Sequence, residues 1–201
     1  MRNHPYQQAL KRVIDVAVAA TILLVSLPVL GCLALLIRWK MGWPVLFRQQ
    51  RLGRHGHVFR LYKFRTMTAG PRETGREILP DAPEVTPLGR FLRRFKIDEL
   101  PQLWNVLKGD MSIVGPRPAL PAQLDELTKA ARKRLEVRPG LTGMSQIHGN
   151  IYLPWEERWK YDAEYVERVS FFLDCWILWR TLFTVVGGER RYLEPWKAEK
   201  Q

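Results

Sequence analysis

The longest feature in the pattern of apolar and polar positions is a run from Val16 to Ile37 without a charged residue. At about 22 positions it would, as a straight helix, cover the roughly 30 Å hydrocarbon core of a bilayer. It is too long for the apolar segment of a signal peptide, and no small-residue cleavage site follows it. Pro28 falls near its middle, with Gly31 one turn later, which favours a kink. Both flanks are basic, with Lys11-Arg12 before and Arg38, Lys40, Arg48, Arg51 and Arg54 after. They lack the asymmetry that orients a spanning helix. A helix that enters the membrane, bends at Pro28 and returns to the same face fits both features, and a kinked spanning helix is the alternative. Trp39 and Trp43 follow where interfacial rings belong.

Beyond this run the pattern shortens. Residues 45–68 read as two short strands around the turn Gly53-Arg54-His55-Gly56-His57, with Val58, Arg60 and Tyr62 alternating against Phe59, Leu61 and Lys63. Residues 69–87, rich in Pro, Gly and charge, predict a mobile surface loop. Thr86-Pro87 then opens a very basic helix from Leu88 to Lys96. Apolar residues at Leu100, Leu103, Trp104 and Leu107 predict one buried helix face, with Pro101 in its first turn and Gly109 at its end. Leu120 to Val137 reads as an amphipathic helix, with Leu120, Leu124, Leu127, Ala131 and Leu135 on one stripe. A further helix is expected around Trp155 to Val169. Ser170 to Val186 is nearly all apolar and aromatic, but at about 17 residues with Asp174 and Arg180 inside it is short for a span, so an interfacial or half-buried helix under the active site is expected. The fold class is therefore α+β, mostly helical with a short β-hairpin, divided into a membrane segment at 1–44 and one domain at 45–201.

Composition narrows the partners. The chain of 201 residues carries a formal charge of +12, which implies an anionic partner: nucleic acid, an acidic membrane surface or a phosphorylated substrate. Cys32 and Cys175 lie in apolar runs, far from a second Cys or His at metal-ligand spacing. Buried, reduced thiols are expected, with neither a zinc site nor a disulfide.

The candidate chemistry centres on Asp98-Glu99. At a helix start, free N–H groups and the dipole favour anions. Arg90, Arg93, Arg94 and Lys96 crowd toward the pair, which would stabilise ionised Asp98 and attract a nucleotide diphosphate. Gly115-Pro116-Arg117-Pro118 makes a stiff turn presenting one guanidinium suited to bidentate phosphate contact. Lys63 and Arg65 could hold a phosphate. In Arg138-Pro139-Gly140-Leu141-Thr142-Gly143 the glycines allow backbone to approach a ligand, and Arg138 is a second candidate clamp. Carboxylates beside fixed cations point to phosphoryl chemistry with a divalent metal; a capped helix followed by a Pro-rich turn is the plainer reading.

The stretch from Asp98 to Pro118, Asp-Glu-Leu-Pro-Gln-Leu-x-Asn-Val-Leu-x-Gly-Asp-Met-Ser-x-Val-Gly-Pro-Arg-Pro, resembles the signature of the bacterial sugar transferases. These are monotopic phosphoglycosyl transferases that begin surface-glycan assembly on polyprenol phosphate. Tyr62 to Met67, Arg93, the segment from Arg138 to Gln146 and Asp162 near Tyr165-Val166 match further family positions. The resemblance implies transfer of a sugar-1-phosphate from a UDP-sugar to polyprenol (undecaprenyl) phosphate, with release of UMP. It makes Asp98 the nucleophile of a phosphosugar-aspartyl intermediate, and gives Glu99 the task of helping to hold Mg²⁺ or assisting the lipid phosphate. It implies a cytoplasmic catalytic domain on the bacterial inner membrane, with anionic lipids as further partners and no nucleic acid. A homodimer is compatible with the sequence, though no residue pattern demands one.

The family carries a re-entrant helix-break-helix with a Ser-Pro pair at the break. Here Leu27 precedes Pro28, and the serine is Ser26. Where the family often has Gly-Arg, this chain has Gly149-Asn150. The rival from another class is a non-catalytic, membrane-attached module whose basic face binds anionic lipid or nucleic acid. It gives no reason for two carboxylates inside a basic region. A transferase moving the sugar alone would call for an Asp-x-Asp motif, which the sequence lacks.

Overall fold

A computed structural model describes residues 10–68, 78 and 82–194. The expected loop over 69–87 falls mostly outside them. Helix α1, Lys11–Met41, is a single helix of 31 residues, about 45 Å long at 1.5 Å per residue. It runs through Pro28 without the break that the sequence predicts. Pro28 removes one bond from the ladder, and the turns on either side hold. The Ser26 hydroxyl donates to the Ile22 carbonyl (2.6 Å), four residues back, and not to the Leu24 carbonyl that Pro28 frees.

Both ends of α1 are tied to the same globular body. Near its start, Lys11 Nζ meets Asp174 Oδ2 at 2.6 Å. Buried Asp15 accepts from Ser112 Oγ (2.7 Å) and the Ile113 amide (3.0 Å). At its other end, Arg65 donates to the carbonyls of Met41, Gly42 and Trp43. Between these anchors Ala19 and Ile37 are fully buried, whereas Leu24 and Val25 stand 74% and 73% exposed.

The predicted hairpin is present. Strand β1, Leu46–Leu52, pairs antiparallel with β2, Val58–Phe64, with Leu46 opposite Phe64 and Leu52 opposite Val58. Phe59, Leu61 and Phe64 turn inward. Helix α2, Pro87–Arg94, starts as its sequence indicates: Thr86 Oγ1 accepts from the Gly89 amide at 3.0 Å, and Pro87 opens the first turn.

Asp98 and Glu99 differ from expectation in one respect. They lie in a 3₁₀ segment, Ile97–Gln102, ahead of α3, Leu103–Lys108, and not in the first turn of an α-helix. Pro101 favours this: in an α-turn its ring would meet the Ile97 carbonyl four residues back, and the Glu99 amide bonds instead to the Lys96 carbonyl three residues back (3.1 Å). Gly109 ends α3 with a left-handed φ of 93°. Asn105 on α3 pins the hairpin, accepting from the Tyr62 amide (3.2 Å) and donating to the Arg60 carbonyl (2.8 Å).

A second, parallel pair joins β3, Ser112–Val114, to β4, Gly140–Thr142. Three residues each are too few to show alternation in sequence. The amphipathic α-helix expected from Leu120 to Val137 is absent. That stretch holds 3₁₀ segments at Pro121–Gln123 and Ala131–Glu136. Gln123 Oε1 accepts from the Leu120 amide (2.9 Å) and Thr128 Oγ1 from the Ala131 amide (3.2 Å), local bonds that compete with a helix ladder. Leu127 and Ala131 still bury against Trp159.

Helices α4, Met144–Ile147, α5, Trp155–Arg168, and α6, Phe171–Gly187, complete the fold. α6 is half-buried, one of the two expected arrangements. Asp174, Ile177 and Thr184 face inward while Phe172 is 83% exposed and Trp179 60%. Cys32 and Cys175 are exposed on α1 and α6, against the expectation of buried thiols. An apolar run hides a thiol only if it packs inward, and these faces of α1 and α6 do not. No exposed large apolar residue falls between Trp104 and Phe171; among the described residues they lie in the stretches up to Trp104 and from Phe171 on.

Gly140 and Gly143 are among the glycines needed for close backbone contact. A Cβ on Gly140 would lie 2.1 Å from the Gly115 nitrogen, and one on Gly143 would lie 2.0 Å from the Gly115 oxygen. They admit neighbouring backbone, where the sequence suggested a ligand. Gly140→Ala is expected to destabilise the protein by about 2–3 kcal/mol or more. Gly31, where an added methyl group would meet nothing within 4 Å, should tolerate Ala with no loss and up to about 1 kcal/mol of gain. Thermal unfolding of both variants in one detergent checks the contrast.

Candidate active site

Asp98 and Glu99 are 5% and 6% exposed, and they open onto a cavity of about 980 Å³. Twelve Lys and Arg side chains line this cavity against four carboxylates, which makes it a trap for a polyanion. The two adjacent acids have different surroundings. Glu99 Oε1 meets Lys63 Nζ from β2 at 2.6 Å and Arg117 Nη2 from the turn after β3 at 3.0 Å. Burial by itself would push Glu99 up; Arg117 and Lys63 outweigh it and hold the carboxyl well below the usual range. Burial in turn pushes the Lys63 ammonium down, against the pull of Glu99.

Asp98 lacks such a partner: its Oδ1 is buried and has no hydrogen bond among the described residues. Burial raises its pKa and the Glu99 charge adds to this, while Lys63, Lys96 and Arg93 pull it down. A carboxylate without fixed partners, in a cationic pocket, is equipped to meet an incoming electrophile or cation.

The predicted basic residues separate into two sets. Lys63, Arg93 and Arg117 line the cavity with the carboxylates. Arg93 Nε donates to Thr66 Oγ1 (3.0 Å) and its Nη1 to the Ile78 carbonyl (3.2 Å). Arg65 also borders the cavity, but its guanidinium caps the last carbonyls of α1. Arg138 is not brought to the cavity. Its Nε donates to the Gly109 carbonyl (2.9 Å) beyond the end of α3, where Arg12 also donates to the Val106 and Leu107 carbonyls.

Asp162 lies beneath the site, 1% exposed, paired with Arg134 Nη2 (2.8 Å) and accepting from Ser145 Oγ (3.0 Å). Arg134 Nη2 also donates to the Arg117 carbonyl at 2.5 Å, so Asp162 supports Arg117 through one intermediary. Burial raises the Asp162 pKa, opposed by Arg134 and the Ser145 bond. Asn150, at the expected family arginine, donates to Glu189 Oε1 (2.7 Å), which also meets Lys96 Nζ (2.6 Å). Sequence reasoning missed Asp15, Ser145, Arg158 and Glu189. Asp15, Ser145 and Glu189 act across long chain separations, whereas Arg158 bonds to carbonyls five and seven residues back; only Asp15, an acid at the edge of an apolar run, carried any local signal.

Among the described residues no group of three or more His, Cys, Asp and Glu side chains converges as a metal cage. The donor set still fits Mg²⁺, an ion commonly bound by one or two carboxylates with substrate phosphates and waters. Asp98, with its orphaned oxygen, is the first ligand available; Glu99 Oε1 already faces two cations.

Residues 6–188 match the family described as bacterial sugar transferase. The chain belongs to this family. This sugar transferase is 45% identical over 180 residues to "Uncharacterized sugar transferase EpsL" of Bacillus subtilis, covering 90% of this chain and 89% of EpsL. It is 36% identical over 202 residues to the exopolysaccharide production protein ExoY of Rhizobium meliloti, covering 90% and 88%. It is 40% identical over 183 residues to the UDP-glucose:undecaprenyl-phosphate glucose-1-phosphate transferase of Escherichia coli, covering 87% of this chain and 39% of that protein. It thus spans most of some relatives and well under half of others.

The Glu99 clamp makes a pH-dependent prediction for this transferase. Its folded pKa lies below its usual 4.5, so the stabilisation is present above that value and is lost as acid protonates the folded carboxyl. Glu99→Gln should lower stability near pH 7 by about 3 kcal/mol, since it leaves buried cations unpaired. It should also flatten the fall of stability below pH 4.5; denaturant titrations from pH 3 to pH 7 read both effects.

Proposed function

We propose that the protein transfers a sugar-1-phosphate from a UDP-sugar to undecaprenyl phosphate, releasing UMP, in the first membrane step of surface-glycan assembly. The observation that carries this reading is the unlike pair: Glu99 clamped by Lys63 and Arg117, and Asp98 buried beside it with an orphaned oxygen. A non-catalytic lipid-binding module has no use for a buried carboxylate that raises the energy of its own fold.

An Asp98 oxygen attacks the phosphorus that carries the sugar. A bond forms between that oxygen and phosphorus while the bond to the bridging oxygen of UMP breaks, and UMP departs with that electron pair. The lipid phosphate oxygen then attacks the same phosphorus, which frees the Asp98 carboxylate and leaves a polyprenyl diphosphate sugar. Lys63 and Arg117, already oriented by Glu99, stabilise charge on the transferring phosphoryl group, and Arg93 and Lys96 add to the cationic wall. Asp98 and, where it gives up a cation contact, Glu99 would hold Mg²⁺, and the ion would supply neutralisation of the diphosphate.

The membrane arrangement belongs to the same reading. α1 is long and apolar enough to cross a bilayer, yet both its ends are bound to one body. In this proposal α1 inserts from one face only, the cytoplasmic face of the inner membrane, beside anionic lipids; its attachment at both ends to one body and its basic flanks support that reading. One substrate is soluble and the other never leaves the bilayer, so a site at the headgroup plane serves both.

Asp98→Asn is expected to abolish UMP release from every UDP-sugar in a panel assayed with Mg²⁺ and undecaprenyl phosphate. The same variant should remove a phosphosugar adduct from the intact-protein mass. Because burial raises the Asp98 pKa, its ionised form costs stability above the usual value of 3.8. The Asn variant should therefore melt no lower than wild type at pH 7, so its inactivity is not unfolding. Wild-type turnover in this variant would defeat the assignment.

A further inference from the structure

The cavity wall from Asn150 to Arg158 has a chemistry unlike the rest. Tyr152 and Trp155 bring aromatic rings to the cavity, and Arg158 lies over the Trp155 ring, 4.3 Å from its centroid. The plane of this guanidinium is fixed: Nε donates to the Leu153 carbonyl (2.8 Å) and Nη2 to the Ile151 carbonyl (3.1 Å), and the residue is 5% exposed. A diphosphate needs cations but has no need of a flat, oriented layer.

Asn150 adds an oriented amide. It is 1% exposed and holds a left-handed φ of 48°. Its Nδ2 donates to Glu189, which Lys96 holds from the other side. A carboxylate only accepts, so the amide must turn its NH₂ toward Glu189, leaving Oδ1 as an acceptor. That oxygen has no donor among the described residues.

We propose that this corner is the nucleoside subsite of the donor, in which a planar base stacks on the fixed Arg158–Trp155 layer and the Asn150 amide reads its polar edge. The inference rests on the transferase reading of the pocket and specifies where the nucleotide half lies. A base has a π-face that extends such a layer, whereas a sugar ring or a polyprenyl chain has none. The corner also belongs to the stretch with no exposed large apolar residue, from Asn105 to Ser170, the side open to a soluble substrate. Arg134 connects it to the carboxylates, reaching both Asp162 and the carbonyl of Arg117, the residue that grips Glu99. A nucleotide lying from Trp155 toward Asp98 would follow that path with its diphosphate.

The test compares UMP with ribose 5-phosphate, which keeps the sugar and phosphate and lacks the base, by calorimetric titration of the full chain in detergent. Wild type should bind UMP about tenfold to a hundredfold more tightly. Trp155→Leu and Arg158→Lys should reduce that ratio to a few-fold with ribose 5-phosphate affinity unchanged. Because both side chains are packed, wild-type protein is also photolabelled with 5-azido-UMP, and the label should fall between Asn150 and Arg158. Labelling elsewhere, or an undiminished ratio in variants that melt as wild type does, overturns the subsite. So does an effect confined to undecaprenyl phosphate affinity. If wild type releases UMP while any of these results holds, only the subsite fails; if it releases none from any UDP-sugar, the transferase reading fails first.

Discussion

The contact on which the site depends is the buried clamp on Glu99. One carboxylate accepts from Lys63 on β2 and from Arg117 after β3, and so locks the hairpin, the 3₁₀ segment and the parallel pair into one frame. Three residues per turn place neighbouring side chains about 120° apart, so Glu99 facing the cations forces Asp98 to face elsewhere. That divergence explains how adjacent carboxyls of nearly the same intrinsic acidity come to differ, one held low by partners and the other raised by burial. Pro101, which blocks the α-turn, is thus part of the chemistry and not merely of the fold.

Arg117 can grip Glu99 only if its turn is held, and the turn is held from two directions. On one side backbone meets backbone, with Gly115 against Gly140 and Gly143 too closely for any side chain. On the other, Arg134 donates to the Arg117 carbonyl and is itself oriented by Asp162 and Ser145. A buried guanidinium with a buried carboxylate is weak evidence of stability, because desolvation opposes the Coulomb gain. It is stronger evidence of a need for fixed geometry, since it orders the residue that orders the carboxylate pair.

The parts readable from sequence were those with local causes. Thr86-Pro87 caps α2 through atoms three residues apart, and the hairpin shows alternation over a full strand. Asp98-Glu99 stood out because two acids in a basic stretch need a reason within that stretch. The apolar stripe of 120–137 misled because burial asks only that Leu127 and Ala131 reach Trp159, which short 3₁₀ segments also allow. Arg65 and Arg138 show the limit of reading charge along a chain: both guanidiniums meet carbonyls at helix ends, a use that composition cannot distinguish from binding phosphate. Asp15, Ser145 and Glu189 act mainly through the folded arrangement, and their meaning is absent from any short window.

The distribution of exposed apolar residues then orients the whole molecule. They occur up to Trp104 and again from Phe171, leaving the middle of the chain without any. The cavity draws its lining from both regions, with Ile22 of α1 and Leu178 of α6 on one side and Trp155 and Arg158 of α5 on the other. Asp98 falls just inside the first apolar region, six residues before Trp104, where the surface changes character. A carboxylate at such a boundary can be dry enough to lose its solvating water and still face a pocket rich in cations. α1 and α6 carry much of that exposed apolar surface and both border the cavity, and α1 is tied to the body at Asp15 and at Arg65, which fixes its position relative to the carboxylate pair.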